Sequence, residues 1–118
     1  MGNREDLAWV AGLFDGEGCF HAQKANGKYY LRSQLSQSGS PELLYRCQKI
    51  TGLGAVGGPY KPTYPRKCKD RFCWAVAGFE QTQALIALLW EWLGTAKREQ
   101  AVTGLRKHGQ PIHEQNSH

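Results

Sequence analysis

The chain has 118 residues, 41% of them hydrophobic, which suits one domain built on one core. Fifteen Lys and Arg against ten Asp and Glu leave a formal charge of +5 and a pI near 9.2. That balance favours an anionic partner, with nucleic acid first. No apolar run reaches membrane-spanning length, since the longest patch, 84–92, is broken by Glu91, so no membrane partner is expected.

The elements follow in chain order. Asn3 is a good N-cap, and Glu5 and Asp6 suit a helix N-terminus. Leu7, Trp9, Val10, Leu13 and Phe14 have helical apolar spacing, and Gly16 and Gly18 end the helix. Two extended runs, 19–25 and 28–38, flank Asn26-Gly27, a strong hairpin signal. In the second run Tyr29, Leu31 and Leu35 point one way, and Lys28, Tyr30, Arg32 and Gln34 the other. The first run splits likewise, with Phe20 and Ala22 against His21 and Gln23.

Ser40 and Pro41 open a second helix, with Ser40 as cap and Leu43, Leu44, Cys47 and Ile50 as inner stripe. Gly52 and Gly54 stop it. A second hairpin pairs 55–60 with 71–77, turning Phe72, Trp74 and Val76 inward and Arg71, Cys73 and Ala75 outward. A third helix is expected over 79–93, with Leu85, Ile86, Leu88, Leu89 and Trp92 inward. Thr95 is the expected cap of a last helix to about residue 107, and the tail from His108 is polar and expected to fray. The order αββαββαα is an α+β fold: one antiparallel four-stranded, saddle-like sheet with helices on one face. The expected domain is 1–108, followed by a polar C-terminal tail, 109–118.

The most informative stretch is Trp9-Val10-Ala11-Gly12-Leu13-Phe14-Asp15-Gly16-Glu17-Gly18. It delivers two carboxylates to the C-terminal end of a helix, where the macrodipole disfavours negative charge. The placement needs a reason, such as a bound cation. The stretch resembles the signature helix of the LAGLIDADG homing endonucleases, with Val10 to Gly18 covering the motif. Gln34-Leu35-Ser36-Gln37 resembles that family's strand end, and Lys97-Arg98-Glu99-Gln100-Ala101 its Lys-x-x-Gln-Ala element. The resemblance covers 4–108.

The resemblance implies a catalytic divalent metal, Mg²⁺ with Mn²⁺ as a substitute, held by Glu17 and the Gly16 carbonyl. Asp is the commoner residue where Glu17 stands. It implies that Gln37 orders water and that Lys97 stands beside the reacting phosphate. It further implies a homodimer seamed by Leu7, Ala8, Ala11, Gly12 and Asp15, because the chain holds one motif and no internal repeat. The activity implied is site-specific cleavage of double-stranded DNA, with intron or intein mobility. A non-cleaving DNA- or RNA-binding protein, maturase or transcription regulator, is the alternative. With no signal-peptide pattern at the N-terminus, an intracellular protein is expected, in a prokaryotic or phage-host cytoplasm or an organelle. No small-molecule substrate is expected.

The outward strand set His21, Gln23, Lys28, Tyr30, Arg32, Gln34 and Arg71 carries the side chains that read base edges or hold phosphates. Water-facing strand residues are polar anyway, yet 20–38 contains no acid at all. Lys61, Arg66 and Lys67, with Lys69, form a basic connection suited to phosphate. The four cysteines make no C-x-x-C pair, so free thiols are expected. A zinc site from Cys68, Cys73, His108 and His113 is the alternative.

Overall fold

In the computed structural model, residues 3–61 and 69–112 are described. Helix α1 spans Arg4–Glu17 and begins as its cap chemistry requires, with Asn3 Oδ1 accepting from the Asp6 amide at 2.8 Å. Replacing Asn3 with Ala orphans that donor, and is expected to cost about 1 kcal/mol in urea unfolding. Strands β1 (Gly18–Ala25) and β2 (Lys28–Ser38) are joined by Asn26 at φ 50° and Gly27 at φ 77°. Both central residues take the positive φ that a tight hairpin of the right twist demands.

Helix α2 (Glu42–Thr51), β3 (Ala55–Tyr60), β4 (Arg71–Ala77), α3 (Phe79–Leu89) and α4 (Thr95–Lys107) complete the order. The strands form one antiparallel sheet in the order β1-β2-β4-β3. The α+β architecture expected from the sequence is therefore the one observed.

The core lies between the sheet's inner face and the helices. Leu31, Leu35, Trp74, Val76 and Phe20 enter from the strands; Val10, Ala11 and Phe14 from α1; Leu44 and Cys47 from α2; Leu85 and Leu89 from α3. Trp74 is fully buried, and its indole N–H donates to the Leu53 carbonyl at 2.9 Å. Trp74→Ala would empty the centre and orphan that carbonyl. A loss of about 3–5 kcal/mol in urea unfolding is expected.

Several local expectations are corrected. Leu43 is 40% exposed; the buried stripe of α2 is Leu44, Cys47, Ile50 and Thr51. The third helix ends at Leu89 and tightens into a 3₁₀ turn, Trp90–Trp92, leaving Trp92 half-buried. Gly94, not Thr95, is the N-cap of α4. The segment after α4 is tied down as far as Ile112. Gly109 and Ile112 donate to the carbonyls of Tyr29 and Gly27, Tyr29 donates to that of Gln110, and the Leu31 amide donates to His108 Nδ1. The start of β2 extends beyond β4, and its bare edge supplied those partners. Residues 113–118 lie outside the described set. No helix among the described residues is long and apolar enough to cross a membrane.

Candidate metal centre and nucleic-acid face

The C-terminal end of α1 carries two exposed acids and no basic residue in its last turn. Asp15 finds its partner within the chain. Its Oδ1 accepts from the Gly94 amide at 2.7 Å, which places the carboxylate at the positive end of α4. Sequence reasoning, which places Asp15 at a seam between protomers, misses this bond. The two residues are far apart in the chain, and Gly94 carries no side chain to betray the contact.

Glu17 is the last residue of α1 and is exposed, with no ion-pair partner among the described residues. One oxygen accepts from Gln37 Nε2 at 3.1 Å. Gln37 has the inward parity of Leu35, but it sits at the strand end, where the sheet runs out beneath the end of α1. The helix closes at Gly18, whose amide donates to the Phe14 carbonyl. The Asp15–Gly94 bond brings the first turn of α4 to this end, and Lys97 lies in that turn. Gln37 thus meets Glu17 directly, and the Asp15–Gly94 bond ties the helix turn that contains Lys97 to the same helix.

The donor set is hard: a carboxylate oriented by an amide, beside the exposed Gly16 at a helix C-terminus, where carbonyls lack helical partners. Such oxygens suit Mg²⁺ or Ca²⁺. No group of three or more His, Cys, Asp or Glu side chains converges among the described residues. Among the described residues, Glu17 and the Gly16 carbonyl are the oxygens at this helix end that would suit such a cation. The zinc alternative gains no support here. Cys73 lies on the outer sheet face, His108 Nδ1 is engaged by the Leu31 amide, and Cys68 and His113 lie outside the described residues. Cys47 is a core thiol whose pKa burial pushes up to about 12.

The outer face collects the expected polar set. His21 stands opposite Arg32, Gln23 opposite Tyr30, Lys28 at the hairpin end opposite Ala25, Gln34 between Cys19 and Ala75, and Arg71 opposite Ser38. A shallow groove of about 450 Å³ runs across β2, β4 and β3, lined by Arg32, Gln34, Gly57, Tyr60, Arg71 and Cys73. Tyr60 was missed at the sequence level. Simple alternation from Gly57 would turn it inward, but a register shift between Gly57 and Tyr60 sets it opposite Arg71. Burial first, and then Arg32, hold the His21 pKa below the usual histidine value. Burial raises the pKa of the Cys19 thiol, whose Sγ lies 3.7 Å from His21 Nδ1. Lys61 meets Asp70 at 3.5 Å, and both are exposed, so the pair is worth little. Arg66 and Lys67 lie outside the described residues.

On α1, Gly12, Asp15 and Gly16 are exposed, and Leu7 and Ala8 half-buried. Ala11 is fully buried in the chain's own core, which corrects its assignment to a seam. A Cβ added at Gly12 would meet nothing within 4 Å. Packing within the chain therefore gives no reason for a glycine there.

No family model matches the chain, and no curated protein matches it. Solved structures do. The homing endonuclease I-CvuI, in complex with the I-CreI target in the presence of Mg and with the DNA not cleaved, superposes with a TM-score of 0.70 at 27% identity, over 88% of this chain and 68% of that one. I-CvuI in complex with its own target in Ca gives 0.69 at the same identity and coverage. The LAGLIDADG meganuclease I-AabMI, bound to uncleaved DNA, gives 0.66 at 21% identity, over 83% of this chain and 34% of that one, a likeness of fold alone. With a single glycine-bearing acidic helix leading into a four-stranded sheet, the chain has the fold of the LAGLIDADG homing endonucleases, in the size of a single-motif unit.

Proposed function

We propose that this chain is a site-specific DNA endonuclease that works as a homodimer, with residues 1–108 as its LAGLIDADG domain. The observation that carries the reading is the Glu17–Gln37 pair, set where the motif helix meets an acid-free sheet face. The similarity to I-CvuI, solved with DNA targets, supports duplex DNA as the partner.

The open space at Gly12 and the exposure of Glu17 fit a dimer. Two copies of α1 packed along Leu7, Ala8 and Gly12 would bring two Glu17 carboxylates towards one another, and DNA phosphates would supply further oxygens. A two-fold dimer implies a near-palindromic target, cut once per strand. It would carry twice the charge of +5, making binding steeply salt-dependent.

Glu17 and the Gly16 carbonyl would hold Mg²⁺, with Mn²⁺ as a substitute. Such a cation stabilises charge on the attacking and leaving oxygens of a phosphodiester. Gln37 orients the Glu17 carboxylate and, through its remaining amide groups, water beside it. Lys97 places a positive charge where the phosphate gains negative charge in the transition state. His21, Gln23, Lys28, Tyr30, Arg32, Gln34 and Arg71 face the major groove, which admits a two-stranded ribbon. Lys61, with Arg66 and Lys67, meets phosphate. The protein then acts where DNA is, in a prokaryotic or phage-host cytoplasm or an organelle, and its targets serve intron or intein mobility.

A randomised duplex library, incubated with Mg²⁺ and separately with Ca²⁺ or chelator, tests the reading. Near-palindromic duplexes cut only with Mg²⁺ are expected. Binding without any cut would make the chain a regulator or maturase of the same fold.

A further inference from the structure

Gln23 and Arg32 differ from the other polar residues of the outer face in being bonded to each other. Arg32 Nη1 donates to Gln23 Oε1 at 2.6 Å, diagonally across the β1–β2 ladder. No carboxylate pairs with Arg32 among the described residues, so no neighbouring acid offsets it there. Its Nε is shielded from solvent and has no partner among them. The guanidinium is thus fixed in direction by a neutral amide and left short of acceptors.

Its position matters as much as its chemistry. β2 is an interior strand, and Arg32 lies between His21 of β1 and Ala77, the last residue of β4. The groove beside it is lined in part by Ala55, Gly57 and Ala75, which carry a methyl group or no side chain and so leave room for a base edge. His21, directly opposite, is held towards its neutral form and adds little repulsion. A planar guanidinium, oriented on an interior strand, matches the O6 and N7 acceptors of guanine in the major groove. Gln23 is not free to read a base itself. Adenine recognition by Gln needs both its oxygen and its nitrogen, and the oxygen is engaged.

We propose that Arg32 reads a guanine in each half of the DNA target and that Gln23 is the positioning residue that holds it. The proposal rests on the DNA reading above. The test is selection of duplexes from a randomised pool by the full chain in Ca²⁺, with wild type, Arg32→Gln, Gln23→Ala and Gln23→Glu. Wild type is expected to enrich guanine at one symmetric position per half. Arg32→Gln should lose that preference by about 10-fold or more and shift it towards adenine, with other positions unchanged. Gln23→Ala should weaken the same preference, and Gln23→Glu, which keeps an acceptor for Arg32, should restore it.

A uniform loss of affinity in Arg32→Gln, with guanine retained, would make Arg32 a phosphate contact and overturn the proposal. If Arg32→Gln fails to fold, the exposed Gln23 decides: an unchanged profile in Gln23→Ala overturns it. Enrichment of no duplex by wild type would overturn the DNA reading itself, an outcome distinct from either.

Discussion

Glu17→Gln is expected to lower Mg²⁺-dependent cleavage by roughly 10³-fold or more while leaving folding intact. The substitution keeps size and shape, and the new side-chain carbonyl can still accept from Gln37 Nε2. What it removes is the negative charge. A cation supplies several kcal/mol of transition-state stabilisation to a phosphodiester, and about 4 kcal/mol corresponds to three orders of magnitude in rate. Glu17 is exposed, so the cost to folding should stay within about 0.5 kcal/mol. Duplex affinity measured in chelator should hold or rise, because a carboxylate facing phosphates has been neutralised. Cleavage at the wild-type rate would show that Glu17 holds no catalytic cation. Unfolding at lower urea would instead give the Glu17 charge a structural role.

Gly12→Leu should act with opposite signs on the single chain and on the dimer. Gly in a helix interior costs about 1 kcal/mol relative to a good helix former, and the space around Gly12 is open within the chain. The isolated chain should therefore gain up to about 1 kcal/mol in urea unfolding. A leucine between two closely packed helices would hold their backbones apart, so the variant should sediment as a monomer and lose cleavage. A dimer that survives Gly12→Leu would place the seam elsewhere. Gly12→Ala is the milder case, with a smaller gain in helix propensity and partial weakening of the dimer.

Much of the fold was legible in the sequence because its signals are short-range. Asn26-Gly27 demanded positive φ at both residues and so a hairpin. Alternation at Phe20, Leu31, Leu35, Trp74 and Val76 separated the faces of the sheet. Asn3 announced the helix it caps. The failures were also local in kind. Leu43 has apolar spacing but falls outside the stripe that α2 buries. Thr95 is a good cap type, yet the backbone already turns helical after Gly94.

The candidate site was legible as a list of residues and not as an arrangement. The acids of the motif helix, Gln37 and Lys97 could be singled out by type and order. Nothing local showed that Gln37 bonds Glu17, that Gln100 accepts from the amide of Phe20 on the free edge of β1, or that Gln23 holds Arg32. Asp15 is the clearest case. Its type and its place in the motif pointed outward to a second chain, whereas α4 packs so that the Gly94 amide meets it.

The sequence by itself determined the elements, the two faces of the sheet and the basic, acid-free character of one of them. These follow from periodicity, turn chemistry and charge, which act over a few residues. Tertiary structure decided which polar groups meet, that Tyr60 turns to the outer face through a register shift, and that Ala11 belongs to the core. Those outcomes depend on where whole helices and strands come to rest. Buried apolar area sets those positions, and it is summed over residues that lie far apart in the chain.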